Sequence, residues 1–148
     1  MNRKLKKLIV SLASVVTLTA AAFAQLPAPT YGWNLGNTLE PPSGEGTWAP
    51  AATQTLINQV AASGFNTIRI PIAWNSHANQ TTYQIDPAWM ARVKQVVDWC
   101  YAANLTVVIN SHWDNGWLDG KLDGNVDADV NARMQSYWTQ IANTFVNS

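Results

Sequence analysis

Two stretches of the chain are apolar without the polar alternation that marks a half-exposed strand. The first, residues 105–109, reads Leu-Thr-Val-Val-Ile and has no charge on either face, and the second spans residues 65–72. Strands of this kind are usually buried on both sides, as in a parallel sheet covered by helices. A briefer strand precedes a turn rich in glycine and asparagine. We therefore predict three strands, beginning near Gly32, Phe65 and Leu105.

Helical periodicity fills the segments that follow each strand. Residues 50–63 carry apolar side chains every three or four positions, with Pro50 suited to a first turn and Gly64 to a C-terminal stop. Asp86 and Pro87 have the order of an N-cap and a first helical residue. The apolar face of the second predicted helix consists of Met90, Val93, Val97, Cys100 and Tyr101. That of the third consists of Met134, Tyr137, Trp138, Ile141 and Phe145.

The predicted element order is therefore β-α-β-α-β-α. Strands separated by helices pair in parallel, with right-handed crossovers, which places the chain in the α/β class. Three such units do not close a barrel and would leave long sheet edges bare. Because the chain stops after a helix, where another strand is due, we expect it to be truncated before strand four.

The first 24 residues have the composition of an export signal. Arg3, Lys4, Lys6 and Lys7 form a basic head, an uncharged run follows, and Ala-Phe-Ala at residues 22–24 fits a cleavage site. An uncleaved membrane anchor is the alternative, but the apolar run is short for a spanning helix. We expect residues 1–24 to be a signal peptide and the mature protein, residues 25–148, to be secreted or periplasmic.

Removal of that segment leaves five basic and nine acidic residues, a net charge of −4, which excludes the basic face of a nucleic-acid-binding protein. All eight tryptophans lie in the mature part, and a flat indole suits stacking on sugar rings as well as core packing. Cys100 has no partner for a disulfide. Its place on an apolar helix face predicts a buried, inert thiol.

Polar and aromatic side chains crowd the end of the third predicted strand. Residues 110–117 read Asn-Ser-His-Trp-Asp-Asn-Gly-Trp. Such a cluster past the carboxyl end of a buried parallel strand is typical of a ligand site in an α/β protein. A loop histidine is by default a satisfied surface residue, but the position of His112 beside Asn110 and Trp113 favours a functional role.

Arg69 stands inside the second apolar strand, between Ile68 and Ile70. A charge at such a position is costly unless it is paired. It could form a structural ion pair within the fold, or it could lie at the carboxyl end of the strand and steer a carboxylate. Pro71 and Trp74 mark the end of the strand close by and favour the second interpretation.

Residues 123–129, Asp-Gly-Asn-Val-Asp-Ala-Asp, imitate the start of a calcium loop. Ala128 replaces the turn glycine, and Met134 stands where the bidentate acid should be. We expect a solvated acidic loop in which Asp127 caps the last helix. No ligand spacing links the chain's two histidines, so we predict no metal site.

Three motifs, residues 32–40, 64–74 and 107–117, resemble glycoside hydrolase family 5, above all its bacterial endo-β-1,4-glucanases. They read Gly-Trp-Asn-Leu-Gly-Asn-Thr-Leu-Glu, Gly-Phe-Asn-Thr-Ile-Arg-Ile-Pro-Ile-Ala-Trp and Val-Val-Ile-Asn-Ser-His-Trp-Asp-Asn-Gly-Trp. The resemblance implies a (β/α)8 barrel, of which residues 25–148 would supply the first three β/α units. It also implies retaining hydrolysis of β-linked glucan by two glutamates, one in an Asn-Glu-Pro motif after strand four and one after strand seven.

The resemblance assigns supporting roles to two residues, Arg69 and His112, and adds Trp113 as a candidate for substrate binding. Arg69 matches the arginine that keeps the nucleophilic carboxylate ionised, because a nearby cation lowers a carboxylate pKa. His112 matches the first of two histidines near the cleavage point that hydrogen-bond sugar hydroxyls. Trp113 replaces the second histidine, so its role stays open between stacking and packing.

Four further residues are candidates for substrate binding. Asn37 and Glu40 match positions that contact glucose units on the non-reducing side in some members of the family. From the residues alone, a turn asparagine and a surface glutamate would be equally good interpretations. Trp48 and Trp117 are candidate sugar platforms.

Neither catalytic glutamate is expected in this chain. Glu40 and Glu45 are its only glutamates, both follow the first strand, and no Asn-Glu-Pro occurs. The resemblance implies double displacement for the complete enzyme, with the carboxyl groups about 5 Å apart. We therefore expect these 148 residues alone to be inactive.

Other functions compete with the endoglucanase. The same barrel could act on mannan, xyloglucan or mixed-linkage glucan, or the chain could be a non-catalytic binding protein with tryptophan-lined grooves. A flavodoxin-like domain fits the element order, but no glycine-rich phosphate loop follows the first strand. We expect a β-glucan as the partner and a monomeric protein, with no cofactor, no nucleic acid and, after signal cleavage, no membrane.

Overall fold

The computed structural model describes residues 28–121 and 123–146. The predicted signal peptide and its cleavage site therefore lie outside the described residues. Regular elements alternate along the chain as β1 (Gly32–Asn34), α1 (Gln54–Ala62), β2 (Thr67–Ile72), α2 (Pro87–Ala102), β3 (Thr106–Ser111) and α3 (Ala128–Phe145). Two single 3₁₀ turns, Asn75–His77 and Asp114–Gly116, follow β2 and β3.

The three strands form one parallel sheet in the order β1-β2-β3, with β2 in the centre. In this register Arg69 lies between Asn34 of β1 and Val108 of β3. A bridge between Leu39 and Ile72 extends the parallel pairing beyond the end of β1. The α/β class, the predicted β-α-β-α-β-α element order and the parallel pairing are confirmed.

One face of the sheet packs against the helices. Side chains alternate along a strand, so Ile68, Ile70 and Ile72 of β2 share a face, and all three are fully buried. They join Val93 of α2 and Tyr137 of α3 in one hydrophobic core. Each such aliphatic side chain contributes about 1.5–3 kcal/mol through removal from water. The core therefore fixes which face of the sheet remains open.

The expectation that β3 is buried on both faces is wrong. None of its six residues is fully buried, and Val108 is 46% exposed. The helices cover only one side of the sheet, and β3 pairs with β2 alone among the described residues. The uninterrupted apolar run therefore predicted a strand correctly, but it did not predict what lies against each face.

The first helix begins later than its apolar pattern indicated. α1 starts at Gln54 rather than at Pro50, because the Thr53 side chain accepts a hydrogen bond from the Leu56 amide and acts as the N-cap. At the other end Gly64 adopts φ +93°, the left-handed conformation that a helix stop favours. The glycine stop was predicted correctly, and the proline start was not.

The second helix follows its prediction closely. Asp86 is the N-cap of α2 and its carboxylate accepts a hydrogen bond from the Ala88 amide at 2.7 Å. Cys100 is fully buried on the apolar face, and this burial raises the pKa of its thiol to about 12. The predicted inert thiol is confirmed by its position, because no thiolate forms at neutral pH.

In the third helix, one predicted core residue proves to be exposed. Asp127 caps α3 through the Val130 amide, as predicted, and Tyr137 and Ile141 are buried. Trp138, however, lies next to the buried stripe and is 38% exposed. Within residues 28–121 and 123–146, we find no helix whose length and apolar character would let it cross a membrane.

An ion pair fastens the loop after β1 to α2. Glu45 accepts two hydrogen bonds from the Arg92 guanidinium, at 2.7 and 2.9 Å, and a third from the Ala52 amide at 2.8 Å. The guanidinium also donates to the Ala52 carbonyl and lies 5.0 Å from the Trp99 ring centre. Because both charged side chains are largely shielded, this pair is stronger than an ordinary surface ion pair.

Replacing Glu45 should destabilise the fold. Glu45→Ala leaves a shielded guanidinium and the Ala52 amide without their acceptor, and we expect a loss of about 2 kcal/mol in the free energy of unfolding. Urea denaturation followed by tryptophan fluorescence measures it. Asp98→Ala, which breaks the exposed Lys94–Asp98 pair, is the matched control and should cost less than about 0.5 kcal/mol. Equal losses in both variants would contradict this account.

Candidate functional site

The open face of the sheet carries two of the polar side chains predicted to be functional, Arg69 and His112. Alternation along the strands places Asn34, Arg69 and Val108 in one row across this face. Asn110 lies two residues further along β3, and His112 follows it after the strand ends. The parallel register thus brings together residues that are up to 78 positions apart in the sequence.

Arg69 forms neutral contacts on this face. Its Nη1 donates to Asn34 Oδ1 at 2.6 Å, and its Nη2 lies 3.4 Å from His112 Nδ1. No ion pair in the described ranges includes Arg69. Arg69 is the third of the six residues of β2, so it lies within the strand rather than at its carboxyl end. The Arg69 side chain extends toward His112, which follows the end of β3. The guanidinium therefore lies closer to the strand ends than the Arg69 backbone does.

The contacts of His112 determine which of its ring nitrogens is protonated. A guanidinium can only donate hydrogen bonds, so His112 Nδ1 must accept from Arg69. The Asn110 side-chain amide, at 3.5 Å, approaches the same nitrogen. The neutral ring therefore carries its proton on Nε2, which is left to donate to another group.

The two candidate residues after β1 have different environments. Asn37 is exposed and adopts φ +61°, a left-handed conformation that asparagine tolerates better than most residues. Glu40 is only 8% exposed, and its Oε2 has no hydrogen-bond partner among the described residues. The bridge between Leu39 and Ile72 sets Glu40 beside the end of β2. A buried acceptor without a donor is costly, which suits a group that receives a ligand.

A tight turn follows His112 and Trp113. Asp114, Asn115 and Gly116 all have positive φ, at 48°, 60° and 68°. Two successive non-glycine residues in this region store strain, and such strain is concentrated at functional sites. What holds the turn is the fully buried Asp114, whose carboxylate accepts hydrogen bonds from the amides of Asn75 and Ser76.

Asp114 was missed in the sequence analysis. Nothing in the chain distinguishes it from its neighbours in an Asp-Asn-Gly turn, because its partners lie 38 and 39 residues earlier. Its contact with the first 3₁₀ turn joins the loops that follow β2 and β3. Asn75 extends the connection, since its side chain accepts hydrogen bonds from Arg133 and Tyr137 of α3.

The three tryptophans proposed to bind sugar are not equivalent. Trp48 and Trp113 are 52% and 53% exposed, so about half of the surface of each is accessible to a ligand. Trp117 is partly buried and packs edge to face on Tyr137, with the Arg133 guanidinium 5.7 Å from its ring centre. The position of Trp117 is that of a packing residue, and its role as a platform stays a prediction.

A separate groove is lined by neither Arg69 nor His112. It has a volume of about 530 Å³ and is lined by the loop between β2 and α2, including His77 and Asp86. The His77 ring stacks on Trp89 at 3.8 Å, and its buried Nε2 has no hydrogen-bond partner in the described residues. Burial lowers the pKa of His77, although the Pro41 carbonyl and the carboxylates of Asp114 and Asp86 oppose this shift.

In the acidic loop, the carboxylates of Asp123 and Asp127 bind groups that are close to them in the chain. Asp123 accepts hydrogen bonds from the backbone and side chain of Asn125, and these lower its pKa. Asp127 caps α3 and pairs with Lys121 at 3.0 Å. In the part of the chain that the structure describes, no three His, Cys, Asp or Glu side chains are grouped as a metal ion would require.

The comparisons with known proteins agree on one family. A family model described as Cellulase (glycosyl hydrolase family 5) matches residues 30–148. Endoglucanase B of Paenibacillus lautus is 42% identical over 99% of this chain, and Endoglucanase B of Clostridium cellulovorans is 42% identical over 77% of it. The chain spans 29% and 26%, respectively, of the lengths of these relatives.

Solved structures agree with these relatives in fold. XEG5B, a GH5 xyloglucan-specific β-1,4-glucanase from a ruminal metagenomic library, superposes with a TM-score of 0.72 at 43% identity. The match covers 81% of this chain and 35% of that one. A tri-modular GH5 endo-β-1,4-glucanase from Bacillus licheniformis has a TM-score of 0.74 at 36% identity, covering 83% of this chain and 24% of its own. The β/α units described above therefore have the geometry of part of such a barrel.

The lowered pKa of His77 predicts a specific pH dependence. Because the folded state disfavours the charged imidazole, unfolding takes up a proton when the pH falls below the unfolded pKa of 6.5. The stabilisation from a neutral His77 is thus full above pH 6.5 and is lost as the pH falls through the folded pKa. His77→Phe keeps a ring on Trp89 without a titrating group, so its free energy of unfolding should fall less steeply from about pH 7 to about pH 5.

Urea denaturation at several pH values tests this expectation. Carboxylates distant from His77 titrate equally in both proteins, so the difference between the two curves reports His77 together with the adjacent Asp86 and Asp114. Parallel curves for the wild type and His77→Phe would show that the burial of this ring does not affect its protonation.

Proposed function

This chain belongs to glycoside hydrolase family 5, and we propose that the whole protein is a secreted, retaining endo-β-1,4-glucanase. Family membership supports a glycosidase that acts on β-linked glucans. In the proposed enzyme this chain supplies the first β/α units of the barrel and one part of the substrate cleft. The two catalytic glutamates are supplied by barrel strands four and seven.

The observation that carries this proposal is the guanidinium of Arg69 on the open face of the sheet. It is held by Asn34 and His112, and no carboxylate of the described residues neutralises it. A cation in that state favours the ionised form of a carboxylate placed nearby. A retaining glycosidase requires such a permanently ionised carboxylate as its nucleophile.

His112 has a complementary role in the proposed site. Its Nε2 proton faces away from Arg69 and can donate to a sugar hydroxyl beside the nucleophile. Glu40, with a buried and unpaired Oε2, can accept a hydrogen bond from another hydroxyl. Together with Asn37 and the exposed rings of Trp48 and Trp113, these groups provide donors, acceptors and flat faces, which pyranose recognition needs.

The proposed reaction is double displacement. The nucleophilic glutamate attacks the anomeric carbon while the second glutamate protonates the leaving oxygen, and water then hydrolyses the glycosyl-enzyme with the second glutamate as base. Arg69 and His112 do not form or break bonds in this scheme. They orient the nucleophile and the sugar. The polar groups that stabilise the transition-state charge are therefore in place before the reaction begins.

The proposed substrate is an unbranched β-1,4-glucan, with xyloglucan or mannan as the second candidate. XEG5B is described as xyloglucan-specific, and a Thermotoga maritima Cel5A is described in complex with mannotriose. We further propose that the protein acts outside the cytoplasm as a monomer without a cofactor. The basic head and apolar run of residues 1–24 support export.

The chain alone should be inactive. Glu40 and Glu45 are its only glutamates and both follow the first strand, so these 148 residues lack the two strand-end glutamates of the proposed mechanism. We expect no release of reducing ends from carboxymethyl-cellulose by the purified chain. The protein expressed from the complete reading frame, assayed in parallel, is the positive control. Turnover by the chain alone would contradict this assignment of the catalytic residues.

Arg69 should be essential in the whole protein. Arg69→Met removes the cation, and we expect kcat/KM on carboxymethyl-cellulose to fall by about 100-fold or more. Arg69→Lys keeps the charge but loses the planar fork, and its activity should lie between that of Arg69→Met and the wild type. Arg92→Lys, on the helical side of the sheet, should alter stability and leave kcat/KM within about twofold.

A panel of soluble mannan, xyloglucan and mixed-linkage glucan identifies the substrate in the same assay. If the wild type binds these polysaccharides but cleaves none, the protein is a binding protein and the hydrolase proposal is wrong. If it cleaves them and Arg69→Met does so equally well, the role given to the guanidinium is wrong.

A further inference from the structure

The indole of Trp113 is exposed but held in place. Trp113 directly follows His112, and 53% of its surface is accessible. Its Nε1–H donates to the Asp119 carboxylate at 3.3 Å. An exposed tryptophan without such a contact would exchange among several rotamers on the nanosecond timescale. Here one edge of the ring is tethered and the face is left open.

The turn that joins Trp113 to Asp119 accommodates the hydrogen bond between their side chains. The Gly116 amide donates to the Trp113 carbonyl at 2.9 Å, and the Asp119 amide donates to the Gly116 carbonyl at 2.8 Å. Gly116 has φ +68°, and a Cβ at this position would overlap the Asp119 carboxylate and lie 3.3 Å from the indole nitrogen. Glycine at this position therefore leaves room for the Asp119 carboxylate beside the indole nitrogen.

The other side of the turn is anchored independently. The buried Asp114 binds the amides of Asn75 and Ser76 and fixes the backbone immediately after Trp113. The main chain of Trp113 is therefore held by Asp114, and the orientation of its ring is held by Asp119. Trp113 is the next residue after His112, and His112 contacts Arg69.

We propose that Asp119 is a positioning residue that orients the Trp113 indole as a stacking platform for a pyranose ring of the β-glucan chain. This inference rests on the proposed function and specifies how one sugar-binding subsite of the proposed enzyme is formed. A ring already held in its binding orientation loses little entropy when the sugar arrives, which strengthens binding. Because stacking acts alike on substrate and transition state, its loss raises KM and leaves kcat unchanged.

Asp119 could instead serve the turn alone, and a pair of substitutions separates the two roles. Asp119→Ala removes the acceptor, whereas Asp119→Asn retains an oxygen at the same position. Trp113→Phe keeps a flat ring but lacks the indole N–H, so in that background Asp119 has nothing to hold. A role of Asp119 in the turn would persist in the Trp113→Phe background, and a role through the indole would vanish.

The test uses the protein expressed from the complete reading frame, with KM and kcat measured on cellohexaose. We expect Asp119→Ala to raise KM about fivefold with kcat within about twofold, and Asp119→Asn to stay close to the wild type. Trp113→Phe should raise KM similarly, and Asp119→Ala should add nothing to it. Asp98→Ala, which removes an exposed carboxylate of α2, is the matched control and should leave both constants unchanged.

Each other outcome has a definite meaning. An unchanged KM in Asp119→Ala, an equal rise in the Trp113→Phe background, or an Asp119→Asn variant as weak as Asp119→Ala would each overturn the inference. A wild-type protein without turnover would overturn the proposed function as well. Thermal unfolding of every variant identifies any loss that comes from unfolding alone.

Discussion

In the parallel pairing of β2 with its neighbours, Arg69 lies beside Asn34 on one side and Val108 on the other. Because side chains alternate along each strand, this one register decides that Ile68, Ile70 and Ile72 enter the core and that Arg69 does not. A slip by one residue would bury the guanidinium and expose the isoleucines. The hydrophobic core and the polar face are therefore two consequences of the same pairing.

The loops on this edge of the sheet depend on buried polar contacts. Asp114 joins the turn after β3 to the turn after β2, and Asn75 passes the connection on to Arg133 and Tyr137 of α3. Arg133 also pairs with Asp129 and lies over the rings of Tyr83 and Trp117. A carboxylate that accepts two backbone amides orders a loop more firmly than apolar contacts do, because its hydrogen bonds are directional. The strained backbone of residues 114–116 is held by these contacts.

Membership of glycoside hydrolase family 5 gives this geometry a chemical meaning. The chain contributes a cation and a histidine to the open face, and it adds exposed tryptophans. Chemistry that requires two carboxylates beside Arg69 needs groups from elsewhere in a barrel, since no described carboxylate forms an ion pair with this guanidinium. This division is common in (β/α)8 enzymes, where several strand ends share one site.

Much of this protein can be predicted from the amino-acid sequence. Local patterns determined the elements: the predominantly apolar runs marked β2 and β3, Asp86-Pro87 marked the start of α2, and Asp127 marked the start of α3. These features depend on neighbours within a few positions, so periodicity and capping residues suffice to find them. The motifs around Arg69 and His112 likewise identified the family, because they are continuous in the chain.

Contacts between distant residues were decided only by the tertiary structure. The sequence could not show that Val108 faces outward, because burial depends on which side of the sheet the helices cover. Nor could it identify the partners of Arg69, which lie 35 and 43 positions away. Asp114 had no local mark because its carboxylate is satisfied by amides of another loop. Sequence patterns specify what a residue can do, and packing of remote segments decides which of those possibilities is realised.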